Sequence, residues 1–264
     1  MFEMFHYDFM QRALIAGFIV AVLASISGSF VVLRRYSLMT ETLAHSALVG
    51  VAIGIFTGIS TLWMAVIVSV AAALLIEYLR STFNLYSDAV LAIFLSGSLA
   101  LAIIIVSLSG AFNNSLFSYL FGSILAVSKE DLVVMSLFGV VSLVLLLGFS
   151  KEFLFIAYDE EVAKTSGIKV QTLNYLLVTI VAVIVALSIR IVGTFLIAAL
   201  MVIPTVSALQ FKKSFLKTVI LSLIFACLSV FAGMVFSYLF SLPSGATIVM
   251  CVIFIFILSL VFNK

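Results

Sequence analysis

Glu41 and His45 lie four residues apart in the stretch TETLAHSALVG (40–50), which is otherwise mostly apolar or small. Residues at this spacing share one face of an α-helix, so the carboxylate and the imidazole point in the same direction. A carboxylate oxygen and a neutral imidazole nitrogen suit Zn²⁺, Mn²⁺ and Fe²⁺ as ligands. The pair therefore predicts a site that holds a divalent metal ion through two ligands, few enough for the ion to leave again.

The same pair also has a purely structural interpretation, in which His45 forms a hydrogen bond to a neighbouring helix and Glu41 lies at the membrane interface. Spacing alone does not separate the two interpretations. Ser46, Gly50 and Gly54 also recur every four residues, on roughly the opposite face. Small residues at this spacing allow helices to approach closely, so we expect this helix to pack tightly on that side.

Long apolar runs surround the pair and predict the elements that position it. Of 264 residues, 65% are hydrophobic and 9% are charged, whereas soluble domains carry roughly 25% charged residues. About 20 apolar residues in a helix cross a bilayer core, and a membrane β-barrel would show short alternating segments instead. We predict an all-α, polytopic integral membrane protein with eight or nine transmembrane helices in one domain, 1–264. The candidate runs are 12–33, 38–57, 61–79, 88–109, 131–150, 172–189, 194–211, 216–240 and 245–262.

Two regions fit this pattern least well. The runs 172–189 and 194–211 flank Arg190 and are the weakest candidates for spans. The segment 115–127 is short for a span, so we predict an interfacial or re-entrant helix there. Such a helix requires that protein cover its backbone.

Lysine and arginine residues indicate the orientation, because cytoplasmic loops carry an excess of them. The loops around 58–60, 110–115 and 241–244 carry none. We predict that the N-terminus lies outside and the C-terminus in the cytoplasm, with Lys129 and Arg190 as exceptions. The residues that then fall on the cytoplasmic side are Arg34, Arg35, Arg80, Lys151, Lys164, Lys169, Lys212, Lys213, Lys217 and Lys264.

Other features exclude several classes of function. The net charge of +2 and the scattered basic residues do not suggest a nucleic-acid partner. Cys227 and Cys251 lie alone in apolar runs and form no CxxC motif, so we interpret both as packing residues. The sequence lacks HExxH and GxxxxGK[ST] motifs. A membrane zinc protease is therefore unsupported, and the chain cannot hydrolyse ATP through a P-loop by itself.

Several motifs together resemble a known family. The stretch SISGSFVVLRRYSLMTETLAHSALVGVAIG is similar to the opening of the membrane subunits of zinc and manganese ABC importers, the metal-uptake ABC-3 permease family. SYLFGSILAVSKEDL, RIVGTFLIAALMVIPTVSA and LPSGATIV are similar to later family segments, and YDEEVAKTSGIKV is similar to its ATPase-docking segment. The likeness covers nearly the whole chain.

The resemblance implies a permease subunit, without enzyme activity of its own, in a bacterial cell (inner) membrane. The transported ion would be Zn²⁺, Mn²⁺ or Fe²⁺, and no cofactor would be bound permanently. The implied partners are cytoplasmic ATPase subunits, an extracytoplasmic metal-binding protein and a second permease copy in a homodimer. The metal role falls on Glu41 and His45. The family usually has Asp where this chain has Glu41, which reaches one methylene further, so the resemblance leaves the preferred metal open.

The resemblance also assigns ATPase docking to the segment 158–168. The residue types agree, because acidic residues suit a helix N-terminus and Gly167 can end a helix. Val162, Ala163 and Ser166 would offer a small surface to a partner, although an ordinary solvated loop would also fit the composition. The residues that carry the docking prediction are Asp159, Glu160, Glu161, Val162 and Ala163.

An alternative function is a self-sufficient, proton-coupled secondary carrier for metal ions, in which His45 carries the proton. Inverted repeats would favour that function, and we find no clear internal repeat in the sequence. The remaining polar and special residues have simpler expected roles. We expect Asp88 to cap the fourth span, Arg190 to pair with a carboxylate or reach the surface, Asn113 and Asn114 to form a turn, and Pro204 to kink its helix.

Overall fold

The structure, a computed structural model, describes residues 6–83, 86–108, 114–123 and 127–262. These residues form helices and no strand. In chain order the helices are α1 (Asp8–Leu33), α2 (Ser37–Thr57), α3 (Thr61–Phe83), α4 (Ser87–Leu108), α5 (Asn114–Phe121), α6 (Lys129–Gly148), α7 (Ser150–Tyr158), α8 (Glu160–Thr165), α9 (Val170–Val192), α10 (Ile197–Leu209), α11 (Phe215–Phe240) and α12 (Ser244–Phe262).

Within the described ranges, eight helices are long and apolar enough to cross a membrane: α1, α2, α3, α4, α6, α9, α11 and α12. The predicted all-α membrane fold is confirmed, whereas the full-length span predicted at 194–211 is wrong. Gly193 has a φ of 89°, and the chain turns there before α10 begins. The 13 residues of α10 extend about 20 Å at 1.5 Å per residue, which is less than a bilayer core. Pro204 lies inside α10, and its kink stays a prediction.

Side-chain contacts define two ends of the helix bundle. At one end, Arg34 contacts Asn174 at the start of α9 and Glu160 at the start of α8. At the other end, Arg190 contacts Thr61 at the start of α3 and Asp131 at the start of α6. We refer to these as the Arg34 end and the Arg190 end, and each membrane-length helix runs between them.

Three helices form the centre of the bundle. In α1, α2 and α9, 67%, 78% and 72% of the most apolar window is buried, against 28–39% in the five other membrane-length helices. Exposed apolar side chains such as Ile67, Leu101 and Val144 lie on these five outer helices. An exposed apolar surface of this extent requires lipid as its solvent, so α2 with its ionisable pair lies on the protected inside.

Small residues let α2 pack closely against its neighbours, as the sequence predicts. A Cβ added to Gly50 would lie 2.3 Å from the carbonyl oxygen of Met64 in α3. The hydroxyl oxygens of Ser46 in α2 and Ser98 in α4 are 3.0 Å apart. These contacts fix α2 between α3 and α4, and any larger side chain at Gly50 requires the two helices to separate.

The short helix α5 is attached to the end of α9 by its backbone. The N–H of Thr194 donates to the carbonyl of Tyr119 at 2.9 Å, and the N–H of Ser123 donates to the carbonyl of Arg190 at 3.1 Å. A Cβ on Gly193 would lie 2.4 Å from the carbonyl oxygen of Leu120, which explains why glycine occupies this turn. The protein thus supplies the backbone cover that an interfacial or re-entrant helix requires.

Three simpler expectations have different outcomes. Asp88 is the second residue of α4, so it complements the helix dipole from inside the first turn and does not precede the helix as a cap. Asn113 lies outside the described residues, and Asn114 begins α5 rather than a turn. Cys227 and Cys251 are free thiols. Cys227 packs against the main apolar core, as predicted.

Candidate metal site

Helix α2 places Glu41 near the Arg34 end and His45 one turn deeper in the bundle. His45 is 4% exposed, and Glu41 is partly buried. Both residues lie on α2 four positions apart, so their side chains share one face of the helix. The shared helix face predicted from their spacing is therefore consistent with the structure.

Neither member of the pair forms a hydrogen bond with the described residues. The Nδ1 atom of His45 is buried and has no hydrogen-bond partner among them. Glu41 likewise forms no hydrogen bond or ion pair with the residues that the structure describes. A buried polar atom without a partner costs about 1–3 kcal/mol, which argues against an interhelical hydrogen bond as the purpose of His45. A free imidazole nitrogen beside a free carboxylate instead suits a cation.

An aromatic contact orients the imidazole without using either ring nitrogen. The ring of His45 lies edge-on to that of Phe195, with centroids 5.6 Å apart and an angle of 67° between the planes. Phe195 belongs to the turn between α9 and α10, and its ring also contacts Phe121 at 5.9 Å. The sequence analysis missed Phe195, because an aromatic residue in an apolar run carries no distinctive signal.

The described part of the chain does not complete a metal coordination shell. Within the described residues, no group of three or more His, Cys, Asp or Glu side chains is arranged to hold a metal ion. Glu41 and His45 are therefore two candidate ligands. Four or more ligands are usual for Zn²⁺ and related ions, so a bound ion would need further ligands besides Glu41 and His45.

The Arg190 end is joined by a polar network. Arg190 forms an ion pair with Asp131 of α6, as the sequence allowed. Its guanidinium also donates to the hydroxyl of Thr61 at 3.1 Å and to that of Tyr119 at 3.4 Å. Asp131 in turn accepts from the backbone N–H of Ser128 at 3.0 Å, within a capping box. The network connects α3, α5, α6 and α9 at the end of the bundle opposite Glu41.

The predicted docking segment folds as the short helix α8, whose ends are both capped. The Oδ1 atom of Asp159 accepts from the N–H groups of Glu161 and Val162, both at 3.0 Å. Gly167 has a φ of 84°, and its N–H donates to the carbonyl of Lys164. The predicted acidic start and glycine end are confirmed in the geometry, which is a Schellman ending.

Helix α8 presents a mixed surface to solvent. Val162 is 46% exposed, Glu161 is also exposed, and Tyr158, the last residue of the preceding helix α7, is 80% exposed. Ala163 was expected to contribute to this surface, but it is fully buried and packs in the apolar core. Ala163 therefore anchors α8 to the bundle, because one side of so short a helix must face the protein. Glu160 lies at the edge of the helix and faces Arg34.

Comparisons with known proteins agree on one family. The chain matches the ABC 3 transport family over residues 6–263. It is 31% identical to the manganese transport system membrane protein MntC of Listeria monocytogenes, over 97% of this chain and 91% of that protein. It is 30% identical to the high-affinity zinc uptake system membrane protein ZnuB of Haemophilus influenzae, over 96% and 97%. Among solved structures it matches PsaBC from Streptococcus pneumoniae in complex with Fab, with a TM-score of 0.86, 31% identity and coverage of 96% of this chain and 91% of the other.

Proposed function

Since the chain belongs to the ABC 3 transport family, we propose that it is the membrane permease of an ATP-driven importer for a first-row divalent metal ion. Relatives named for manganese and for zinc support this class of cargo. The observation that carries the proposal is the buried Nδ1 atom of His45, which has no hydrogen-bond partner among the described residues and lies one helical turn from Glu41. A transported ion supplies the missing partner.

The pair would hold the ion briefly rather than permanently. Two protein ligands give weaker binding than the closed four-ligand shell of a structural zinc site, and weak binding favours release into the cell. The remaining ligands would be water molecules or groups outside the described residues, because His45 is buried within its own helix bundle. The preference between Mn²⁺ and Zn²⁺ would then depend on the reach of Glu41, because both ions accept carboxylate and imidazole ligands.

The energy for transport would come from separate ATPase subunits that dock on α8. The sequence contains no P-loop motif, and the exposed side chains of Tyr158, the last residue of α7, and Val162 of α8 are available for contact. Gly167 ends α8, and apart from its chain neighbours no atom of the described residues lies within 4 Å of the position a Cβ would occupy, so there is open space beside this turn. An extracytoplasmic binding protein would deliver the ion at the Arg190 end.

The proposed orientation places the Arg34 end in the cytoplasm and the N-terminus outside, in a bacterial cell membrane. Most loop lysines and arginines lie at the Arg34 end, as the positive-inside rule requires. Three basic residues lie at the Arg190 end instead. Arg190 is paired with Asp131, Lys129 is followed directly by Glu130 and Asp131, and Arg12 lies four residues after Asp8. All three therefore have acidic residues close by in the sequence or the structure.

Reconstitution tests the function directly. The permease, its ATPase and its binding protein are placed in proteoliposomes, and uptake of radiolabelled Mn²⁺ and Zn²⁺ is measured with and without ATP. We expect uptake that requires ATP and all three components. Uptake driven by a proton gradient in vesicles without the ATPase would instead establish a proton-coupled secondary carrier and overturn the importer.

A further inference from the structure

The start of α2 is held by an aromatic ring between two guanidinium groups. Tyr36, the residue immediately before α2, is only 8% exposed. The Cζ atom of Arg34 lies 5.1 Å from the centroid of its ring, and that of Arg80 lies 4.8 Å away. Arg80 is fixed in turn by Glu77, whose carboxylate accepts from its Nε at 3.0 Å and from its Nη2 at 2.7 Å. The entry to α2 is thus attached to α3 through Arg80.

Arg34 connects this ring to the docking helix. Its Nη1 donates to Oδ1 of Asn174 in α9 at 2.7 Å, and its Nη2 lies 3.8 Å from Oε2 of Glu160. Glu160 is the first residue of α8. A single buried guanidinium therefore contacts α8, α9 and the residue that precedes α2.

The surroundings leave room for the side chains of Arg34, Arg80 and Glu160, referred to below as the cluster, to change their arrangement. A polar cavity of about 300 Å³ adjoins it, lined in part by Glu77, Arg80, Glu160 and Asn174. Lys164 also lines this cavity and pairs with Glu160 at 3.1 Å, so Glu160 has two cations between which to shift. Such a space distinguishes the cluster from the close-packed centre of the bundle, where small movements are resisted.

The contact between Tyr36 and the guanidiniums does not depend on ionisation of the phenol. Burial raises the pKa of the Tyr36 hydroxyl above its usual range, in spite of the neighbouring Arg34 and Arg80. The ring is therefore neutral at physiological pH, and the attraction is of the cation–π type. Phenylalanine preserves that attraction at this position, whereas an aliphatic residue removes it.

We propose that Arg34 and Tyr36 are positioning residues that couple the ATPase-docking helix α8 to the metal ligands on α2. A displacement of Glu160 pulls on Arg34, and Arg34 moves Tyr36 and the start of α2. Glu41 and His45 follow on the same rigid helix, about 7.5 Å and 13.5 Å further along its axis at 1.5 Å per residue. The proposal rests on the metal-import function argued above. It adds the route by which a movement of α8 is transmitted to Glu41 and His45.

The test compares Tyr36→Leu with Tyr36→Phe in proteoliposomes that contain the ATPase and the binding protein. Three quantities are measured: ATPase co-purification, ATP hydrolysis, and metal ions imported per ATP. Coupling mutations change linked equilibria by a factor of about 2 to 30, so we expect Tyr36→Leu to lower the ions imported per ATP within that range. ATPase binding and hydrolysis should persist in Tyr36→Leu, and Tyr36→Phe should behave as the wild type.

A neighbouring residue provides the matched control. Arg35 is exposed and has a φ of 58°, a conformation that asparagine tolerates. Arg35→Asn removes one positive charge from the same loop and should leave the ions imported per ATP unchanged. A loss in Arg35→Asn equal to that in Tyr36→Leu would attribute the effect to loop charge and overturn the proposal.

If Tyr36→Leu does not insert into the membrane, a second variant, Arg34→Lys, tests the coupling route. Arg34→Lys keeps the charge near Glu160 but loses the planar group that stacks on Tyr36 and the fixed geometry of its hydrogen bond to Asn174. We expect it to lower the ions imported per ATP as well. A wild-type ratio in either inserted variant would overturn the coupling route while leaving the import function intact. Absence of ATP-driven uptake by the wild-type protein would overturn the import function itself.

Discussion

The imidazole of His45 lies edge-on to the ring of Phe195, with centroids 5.6 Å apart. Phe195 belongs to the turn at the Arg190 end of α9, whereas Glu41 lies on α2 towards the Arg34 end. Packing therefore orients the imidazole, and its Nδ1 atom has no hydrogen-bond partner among the described residues. His45 could act as a metal ligand or join helices through a hydrogen bond. These two roles respond differently to substitution.

Substitution of the pair should remove transport without removing the protein. His45→Ala eliminates the imidazole ligand, and Glu41→Gln keeps the shape of the side chain but eliminates its charge. We expect both variants to insert normally and to lose at least about tenfold in uptake, because each lost ligand weakens ion binding by more than 1.4 kcal/mol. Uptake of radiolabelled metal is normalised to the amount of inserted protein.

Glu41→Asp is the matched control for this pair. It retains the carboxylate with one methylene less, so uptake should persist and the ratio of Mn²⁺ to Zn²⁺ uptake should shift. If the pair served helix packing instead, His45→Ala and Glu41→Gln should lower the abundance or thermal stability of the protein and leave uptake per inserted molecule normal. Normal normalised uptake in His45→Ala would rule out a ligand role for His45.

The ion pair between Asp131 and Arg190 should stabilise the Arg190 end of the bundle. Asp131→Asn leaves the guanidinium of Arg190 without its charged partner, and a hydrogen bond to a charged group contributes about 1.5–3 kcal/mol. We expect a clear fall in the thermal unfolding temperature of the detergent-solubilised protein. Glu130→Gln is the control, because it removes the same charge at the adjacent, exposed position and should leave the unfolding temperature nearly unchanged. Equal unfolding temperatures for the two variants would show that the ion pair contributes nothing.

The fold could be predicted from sequence wherever a single physical rule dominates. Apolar run length identified the membrane-length helices, and the small residues around Gly50 identified the close face of α2. The ninth span failed because hydropathy does not detect the turn at Gly193, where α5 contacts the chain through backbone hydrogen bonds. Run length therefore fails where backbone from a distant segment interrupts an apolar stretch.

In the candidate site, too, features set by local sequence could be predicted and contacts between distant segments could not. Spacing placed Glu41 and His45 on one face, and residue type placed acidic residues at the start of α8. The partners of Arg34 could not be predicted, because Glu160 and Asn174 are distant from it in sequence. Ala163 was misassigned for a related reason: a six-residue helix is too short for its periodicity to show which side faces the protein.

Docking of the ATPase should depend on the exposed side of α8. Val162→Arg places a large charged side chain at a position that is 46% exposed. The fold should tolerate it, whereas an apolar contact with a partner should not. We expect loss of ATPase co-purification and of ATP-driven uptake, with metal binding at Glu41 and His45 retained. Lys213→Gln, which changes an exposed residue at the same end but outside α8, should retain both activities. Normal assembly and uptake by Val162→Arg would refute docking at this surface.

The orientation can be tested by labelling single cysteines at the two ends of the bundle. In a background with Cys227 and Cys251 replaced by alanine, one variant carries Ile59→Cys and the other carries Lys213→Cys. Ile59 is 55% exposed in the turn between α2 and α3, and Lys213 is exposed between α10 and α11. Because lysine and arginine concentrate at the Arg34 end, the positive-inside rule places Lys213 in the cytoplasm. A membrane-impermeant maleimide added to intact cells should label Ile59→Cys and spare Lys213→Cys, and permeabilised cells should label both. The reverse pattern in intact cells would place the N-terminus inside and move the docking helix to the outer surface, where no ATPase could reach it.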